Sequence, residues 1–225
     1  MMLEFNDVCF RYDNQSQYIL QNLNFKVENQ EFISIIGKSG SGKTTIMKLI
    51  TLQLEHFTGK ISVLGYDLPI QNKDKHAYID QISVVLQRGA LFRDMTVYEN
   101  IAFPLSQKKV KNIKELVYEQ MAEWQLDYIY AEYYPYQLSG GMVQKVAIAR
   151  SNIIKKPLVI YDEPCAGLDP DSSLHITDLM YKQHLQYNQT VLLITHNVNL
   201  AYKFADKIMP LANGKISAEH VNSNK

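Results

Sequence analysis

Arginine is scarce in this chain of 225 residues: Arg11, Arg88, Arg93 and Arg150 are the only four, and they are scattered. Lys+Arg and Asp+Glu both number 23, so the formal net charge is zero. No basic stripe exists to track a phosphate backbone, which excludes a nucleic-acid partner. Cysteine is scarcer still. Cys9 and Cys165 lie far apart and outside any CxxC spacing, so neither a disulfide framework nor a zinc site is indicated, and two reduced thiols in an intracellular protein are expected. Long apolar runs are also missing. Phe32–Ile36, Leu158–Tyr161 and Val191–Ile194 are short, well under the ~20 residues that span a bilayer. Glu4, Asp7, Arg11 and Asp13 break the stretch where a signal peptide would need unbroken apolar side chains. The expectation is a cytoplasmic chain that meets a membrane only through a partner. Hydrophobic residues at 46% and charged residues at 20% are ordinary globular usage, enough to build one large core.

Residues 3–35 alternate apolar and polar side chains, with Phe5, Val8, Phe10, Phe25 and Val27 among the apolar set. That pattern predicts antiparallel strands with turns near Asp13–Ser16 and Glu28–Gln30. FISIIG (32–37), ISVVLQ (82–87), PLVIYDE (157–163) and TVLLITH (190–196) are continuous apolar runs, as expected of strands covered on both faces. Helical stretches are predicted over 43–54, roughly 112–131, 140–155, 171–187 and 197–205. Buried strands alternating with helices imply an α/β fold around a mostly parallel sheet. The organisation expected is one domain over 1–225. About 1–87 and 157–217 form the core, with an N-terminal antiparallel β subdomain, and about 88–156 form an inserted helical lobe. The last residues, from about Ala218, are polar and expected to fray.

Directly after FISII stands Gly37-Lys38-Ser39-Gly40-Ser41-Gly42-Lys43-Thr44, the pattern G-x-x-x-x-G-K-[ST]. Glycines let the backbone wrap a phosphate closely, so that successive N–H groups point at the anion. Lys43 supplies a charge to the β/γ oxygens, Thr44 a hydroxyl for Mg²⁺, and the following helix its positive end. A chance glycine-rich turn is disfavoured between an apolar strand and the helical pattern TTIMKLITL, so the loop is expected to bind a nucleoside triphosphate and resembles that of the P-loop NTPases. PLVIYDE ends in paired acids: Asp162 is placed to hold the Mg²⁺ shell and Glu163 to polarise an attacking water. Alone, an Asp-Glu pair at a strand end is as readily a solvated loop; beside a phosphate loop it is not.

LSGGM (138–142) separates the remaining possibilities, since a phosphate loop also serves kinases, GTPases and motors. Here the chain resembles the ATP-binding cassette family, whose signature is usually LSGGQ. Ser139 is a good helix N-cap, and Gly140 and Gly141 expose N–H groups to an anion. The resemblance implies that these three contact the γ-phosphate of an ATP bound on the opposite subunit. Met142 replaces the usual Gln, and Lys145 stands where Arg is more common. By order and spacing, Gln87 resembles the Q-loop glutamine that senses Mg²⁺ and the attacking water. Ala166-Gly167-Leu168-Asp169 resembles the D-loop, with Cys165 where Thr is usual. His196 resembles the switch histidine at the γ-phosphate, and Tyr12 in FRYD the aromatic that stacks on adenine. On their own, His196 reads equally as a satisfied strand-end histidine and Tyr12 as a half-buried strand tyrosine.

The resemblance implies an ATPase with ATP and Mg²⁺ as cofactors, working as a head-to-tail homodimer. Tyr12, Gly37, Lys38, Ser39, Gly40, Ser41, Gly42, Lys43, Thr44, Thr45 and Gln87 would bind ATP in one subunit, and Ser139, Gly140 and Gly141 in the other. Thr44, Gln87 and Asp162 would hold the metal, while Glu163 and His196 would be catalytic. GALFRDMTVYENIAFPL (89–105), LSGGM and YDEPCAGLDP further resemble the Mla/Mkl group of phospholipid-transport ATPases, which implies a permease at the inner membrane's cytoplasmic face and MCE- or STAS-type accessory subunits. The alternatives are the cell-division cassette FtsE and an importer for amino acids or another small solute. A DNA-repair or chromosome cassette would carry a coiled coil or zinc insertion between Lys43 and Ser139. A ribosome-binding factor would carry two cassettes; neither feature is present. Leu91, Phe92, Met95, Val97, Tyr98, Ile101 and Phe103 supply apolar surface expected to form part of the permease groove.

Overall fold

The computed structural model describes residues 1–225 except 14, 15, 88, 107, 109, 218, 219 and 223–225. The alternating N-terminal segment forms β1 (Leu3–Phe10) and β2 (Leu20–Val27), which pair antiparallel with Phe5 opposite Phe25. Their two rings stack at 4.7 Å between centroids. β4 (Thr58–Val63) and β5 (Tyr66–Leu68) complete a four-stranded sheet in the order β2-β1-β4-β5. The turn expected at Asp13–Ser16 includes positions outside the described residues.

The second sheet holds β3 (Phe32–Ile36), β6 (Ile82–Val85), β7 (Leu158–Asp162), β8 (Thr190–Thr195) and β9 (Lys207–Ala212) in the order β9-β3-β8-β7-β6, all parallel. Two short strands, β10 (Lys215–Ile216) and β11 (His220–Val221), pair antiparallel with β9. The continuous apolar strands divide their residues between two cores. Ile33, Ile35, Ile160, Leu192 and Ile194 face the antiparallel sheet and α1 (Lys43–Ile50), whereas Phe32, Val159, Tyr161, Val191 and Leu193 face the helical side. Period-two alternation thus explains why these strands carry apolar residues at every position.

The helices are α2 (Asn72–Ile79), α3 (Val97–Ser106), α4 (Ile113–Glu123), α5 (Gly140–Asn152), α6 (Pro170–Tyr187) and α7 (Val198–Phe204). Several end earlier than expected, α5 at Asn152 among them, and two of these, α1 and α4, stop for one reason. Thr51 caps α1, and Leu52 turns left-handed at φ 58°, with Gln53 N–H reaching back to the Lys48 carbonyl. At the end of α4, Gln125 takes φ 51° and Leu126 N–H bonds the Met121 carbonyl. Both are Schellman-type ends without glycine. The strand expected over 82–87 stops at Val85, which leaves Leu86 and Gln87 exposed. One expectation is corrected. Val97 and Ile101, assigned above to the permease groove, are fully buried in the core against α4 and α5; Phe92 is exposed and Phe103 half-buried.

Candidate nucleotide site

Four parallel strands deliver their C-terminal ends to one edge of the sheet. β3 leads into the glycine-rich loop, β6 ends just before Gln87, β7 ends at Asp162 and Glu163, and β8 ends just before His196. Open parallel sheets bind ligands at such edges. Between them lies a cleft of about 670 Å³ lined by Tyr12, Ile19, Lys38, Ser39, Gly40, Gly42, Lys43, Thr44, Thr45, Gln87, Glu163 and His196. Gly37 and Ser41 line an adjoining hollow that shares Ile19, Lys38, Ser39, Gly40 and His196 with the cleft.

The loop has no room for side chains at two places. A Cβ on Gly37 would stand 2.4 Å from the Leu211 carbonyl oxygen. Gly42, the N-cap of α1, sits at φ 107°, and a Cβ there would stand 2.9 Å from a Leu20 methyl. Lys43 folds back over the loop, its Nζ donating to the carbonyls of Gly37 (2.7 Å) and Lys38 (3.0 Å) and lying 3.9 Å from Glu163 Oε1. These bonds fix the ammonium over the loop, where it can meet a phosphate as a charged donor. Ser41 Oγ is buried with no hydrogen-bond partner among the described residues, an unmet polar group of the kind an anion in the cradle would satisfy.

Thr44 Oγ1 donates to Asp162 Oδ2 at 3.1 Å. Burial pushes the Asp162 carboxyl above its usual range; the Thr44 bond opposes that shift, and the nearby Glu163 charge adds to it. A cation between this carboxylate and a triphosphate would relieve that burden. One carboxylate and one hydroxyl are the hard oxygen ligands that Mg²⁺ takes alongside phosphate and water, so the residues fit Mg²⁺-ATP.

Glu163 adopts φ 51°, a left-handed backbone that a non-glycine residue holds only when its surroundings impose it. Its N–H bonds the Ile194 carbonyl at 2.9 Å, and its Oε2 lies 2.8 Å from His196 Nδ1. β7 and β8 therefore bring the expected base and the expected switch histidine into direct contact. Tyr12 lines the cleft with its hydroxyl 3.3 Å from Thr45 Oγ1 and its ring edge-on to Phe10 at 4.9 Å. Ile19, across the cleft from nothing that spacing could flag, is an apolar lining residue that sequence reasoning missed.

Ser139, Gly140 and Gly141 do not line this cleft. Ser139 is exposed and caps α5, its Oγ accepting from Met142 N–H at 3.3 Å. Asp169 caps α6 in the same way, accepting from Ser172 N–H at 2.8 Å, and the Ser172 hydroxyl followed by that N–H holds its carboxyl below the usual range. The Cys165 thiol is pushed up to about 11 by burial and bonds the Ser173 carbonyl and Thr177. It behaves as a packed, unreactive side chain.

Residues 20–166 match the family described as ABC transporter. A methionine import ATP-binding protein of Bacillus cereus is 35% identical over 97% of this chain and 66% of its own length. The chain thus spans about two thirds of that relative. An energy-coupling factor transporter ATP-binding protein of Caldanaerobacter subterraneus is 33% identical over 96% of this chain and 78% of its own. Among solved structures, a dimeric ATP-binding cassette in a post-hydrolysis state, bound to ADP and Pi, is 27% identical, covers both chains completely and superposes with a TM-score of 0.87. With a family match over most of its length and a cleft built for a magnesium-bound triphosphate, the chain belongs to the ABC transporter family, as an ATP-hydrolysing cassette of the P-loop α/β fold.

Proposed function

We propose that this cassette powers a membrane importer for a small solute, as a head-to-tail homodimer seated on permease subunits at the cytoplasmic face of the membrane. The observation that carries the reading is the placement of Ser139: an exposed helix N-cap, outside the chain's own cleft, next to two glycines with open N–H groups. A second copy can bring that end to the γ-phosphate, so ATP would bridge two positive helix ends. Within each copy, Tyr12, Gly37–Thr45 and Gln87 would hold ATP; Thr44, Gln87 and Asp162 the metal; Glu163 would activate water and His196 would steady the γ-phosphate. Mg²⁺, when bound, would screen the phosphate charge. Hydrolysis removes the bridge and frees the halves. Residues 1–87 and 157–217 would act as the nucleotide core and 88–156 as the lobe that answers to the permease.

The importer reading is favoured over lipid transport because the relatives above are named for methionine import and energy coupling. The resemblance of Gly89–Phe92 and Met142 to the Mla/Mkl group has no counterpart in those names, nor have MCE- or STAS-type subunits. No helix among the described residues is long and apolar enough to cross a membrane, so a separate permease would carry the solute.

A groove of about 330 Å³ lined by Val84, Ala90, Phe92, Phe103, Pro104 and Ile154, among others, is the site proposed to receive it. Phe92 is 37% exposed there, 4.6 Å from the Phe103 ring. Phe92→Glu should leave ATP binding unchanged, since Phe92 is outside the nucleotide cleft. It should weaken co-purification with the membrane-spanning protein encoded in the neighbouring reading frames, because a charged carboxylate replaces the apolar ring a partner would cover, and pairing with Arg150, 5.1 Å from that ring, offsets only part of the cost. Normal co-purification and solute uptake with this variant would place the permease elsewhere.

A further inference from the structure

Asn100 and Arg150 lie outside the nucleotide cleft, yet their bonds join the loop that follows Gln87, which lines it, to the helix that starts after Ser139. Asn100, fully buried in the first turns of α3, shares its Nδ2 among the carbonyls of Phe92 (3.0 Å), Met95 (3.0 Å) and Thr96 (2.9 Å). Its Oδ1 accepts from Phe92 N–H at 2.9 Å and from Arg150 Nη1 at 3.4 Å. Arg150, near the end of α5, donates from Nη2 to the carbonyls of Gly89 (3.1 Å) and Ala90 (2.9 Å), and its Cζ lies 5.1 Å from the centre of the Phe92 ring. These partners are carbonyls, a carboxamide and a ring, not a carboxylate. A part-buried cation is a costly tie where apolar packing could serve, so the geometry it enforces is the feature to explain. Gly89 supplies the rest. Buried at φ +72°, it lies so close on α5 that a Cβ would stand 3.1 Å from Ala147 Cβ and 3.5 Å from Val143 Cγ1. The loop that starts beside Gln87 is thereby fastened along the helix that starts at Ser139.

We infer that Arg150, together with Asn100, is a positioning residue that makes the loop after Gln87 and the helix α5 move as one piece. A push on Phe92 in the groove then reaches Gln87 in this chain's cleft and Ser139 at the partner's cleft together. The inference rests on the ATP-bridged dimer proposed above and deepens it with a route between groove and nucleotide.

Hydrogen exchange on the Glu163→Gln chain, with and without Mg²⁺-ATP, tests it without a permease. In that parent both 89–96 and 139–146 should gain protection, at the same half-saturating ATP concentration. In Glu163→Gln/Arg150→Lys, which keeps the charge but loses the forked contact to two carbonyls, 139–146 should still gain protection. The gain over 89–96 should fall to less than half, with ATP affinity within about twofold of the parent. If the double variant does not fold, Glu163→Gln/Gly89→Ala, which lifts the loop off Ala147, should show the same separation. Equal gains in the two segments of either folded variant would overturn the inference alone, as would joint loss of both gains with loss of ATP affinity. Absence of any gain over 139–146 in the parent would overturn the dimer reading, and the inference with it.

Discussion

Lys43→Ala is expected to weaken ATP binding about 100-fold, the equivalent of roughly 3 kcal/mol for a charge-assisted contact at the upper end of its range, and to remove hydrolysis. Three groups are left behind when the ammonium goes. The Gly37 and Lys38 carbonyls lose the donor they share at 2.7 and 3.0 Å, and Glu163 loses the cation at 3.9 Å. Two carbonyl dipoles and one carboxylate would then face the triphosphate without a compensating cation. The fold should survive, because the glycine backbone and the α1 packing of Ile46, Leu49 and Ile50 do not depend on Lys43. Calorimetric titration with Mg²⁺-ATP reads the loss; unchanged affinity would contradict the placement of the triphosphate in this loop.

Glu163→Gln is expected to slow hydrolysis on the order of 10²- to 10⁴-fold, the usual weight of a general base, while ATP binding is kept. The amide preserves the shape and can still accept from His196 Nδ1, now 2.8 Å from Glu163 Oε2, but it takes up no proton. The N–H bond to Ile194 at the residue with φ 51° is a main-chain contact that the substitution leaves in place. ATP should therefore persist between two copies, and gel filtration with Mg²⁺-ATP should convert monomer to dimer. Full turnover in this variant would move the base to another residue.

The strands that carry the site were legible because each is a short apolar run ending in its functional residue, as β3, β7 and β8 show. Helix ends were less legible. Leu52 and Gln125 turn left-handed where no glycine marks the stop, so periodicity ran on past both. α2 escaped notice because Tyr78 is its one buried side chain and leaves no apolar stripe. In α3, Val97, Ile101 and Leu105 repeat every four residues and share one buried face, a spacing that assigns them to the core. Thr96 and Glu99 form a capping box at its start, Thr96 N–H bonding Glu99 Oε2 at 2.8 Å and Glu99 N–H bonding Thr96 Oγ1 at 3.2 Å. Reading those two signals together leaves Phe92 outside the helix and accessible. The contact between Glu163 and His196 and the tie between Asn100 and Arg150 join residues 33 and 50 positions apart; only the sheet order and the packing of α3 on α5 bring them together.

Mixing two inactive variants tests the two-chain site most directly. Lys43→Ala spoils the cleft and leaves Ser139 intact; Ser139→Arg spoils the exposed helix cap and leaves the cleft intact. Each alone should lack hydrolysis, because every site in its homodimer contains one damaged half. In an equimolar mixture, the mixed dimer pairs the intact cleft of one chain with the intact Ser139 of the other, so phosphate release should return, with at most one working site in each mixed dimer. A mixture as inactive as its two components would contradict a site shared between two copies.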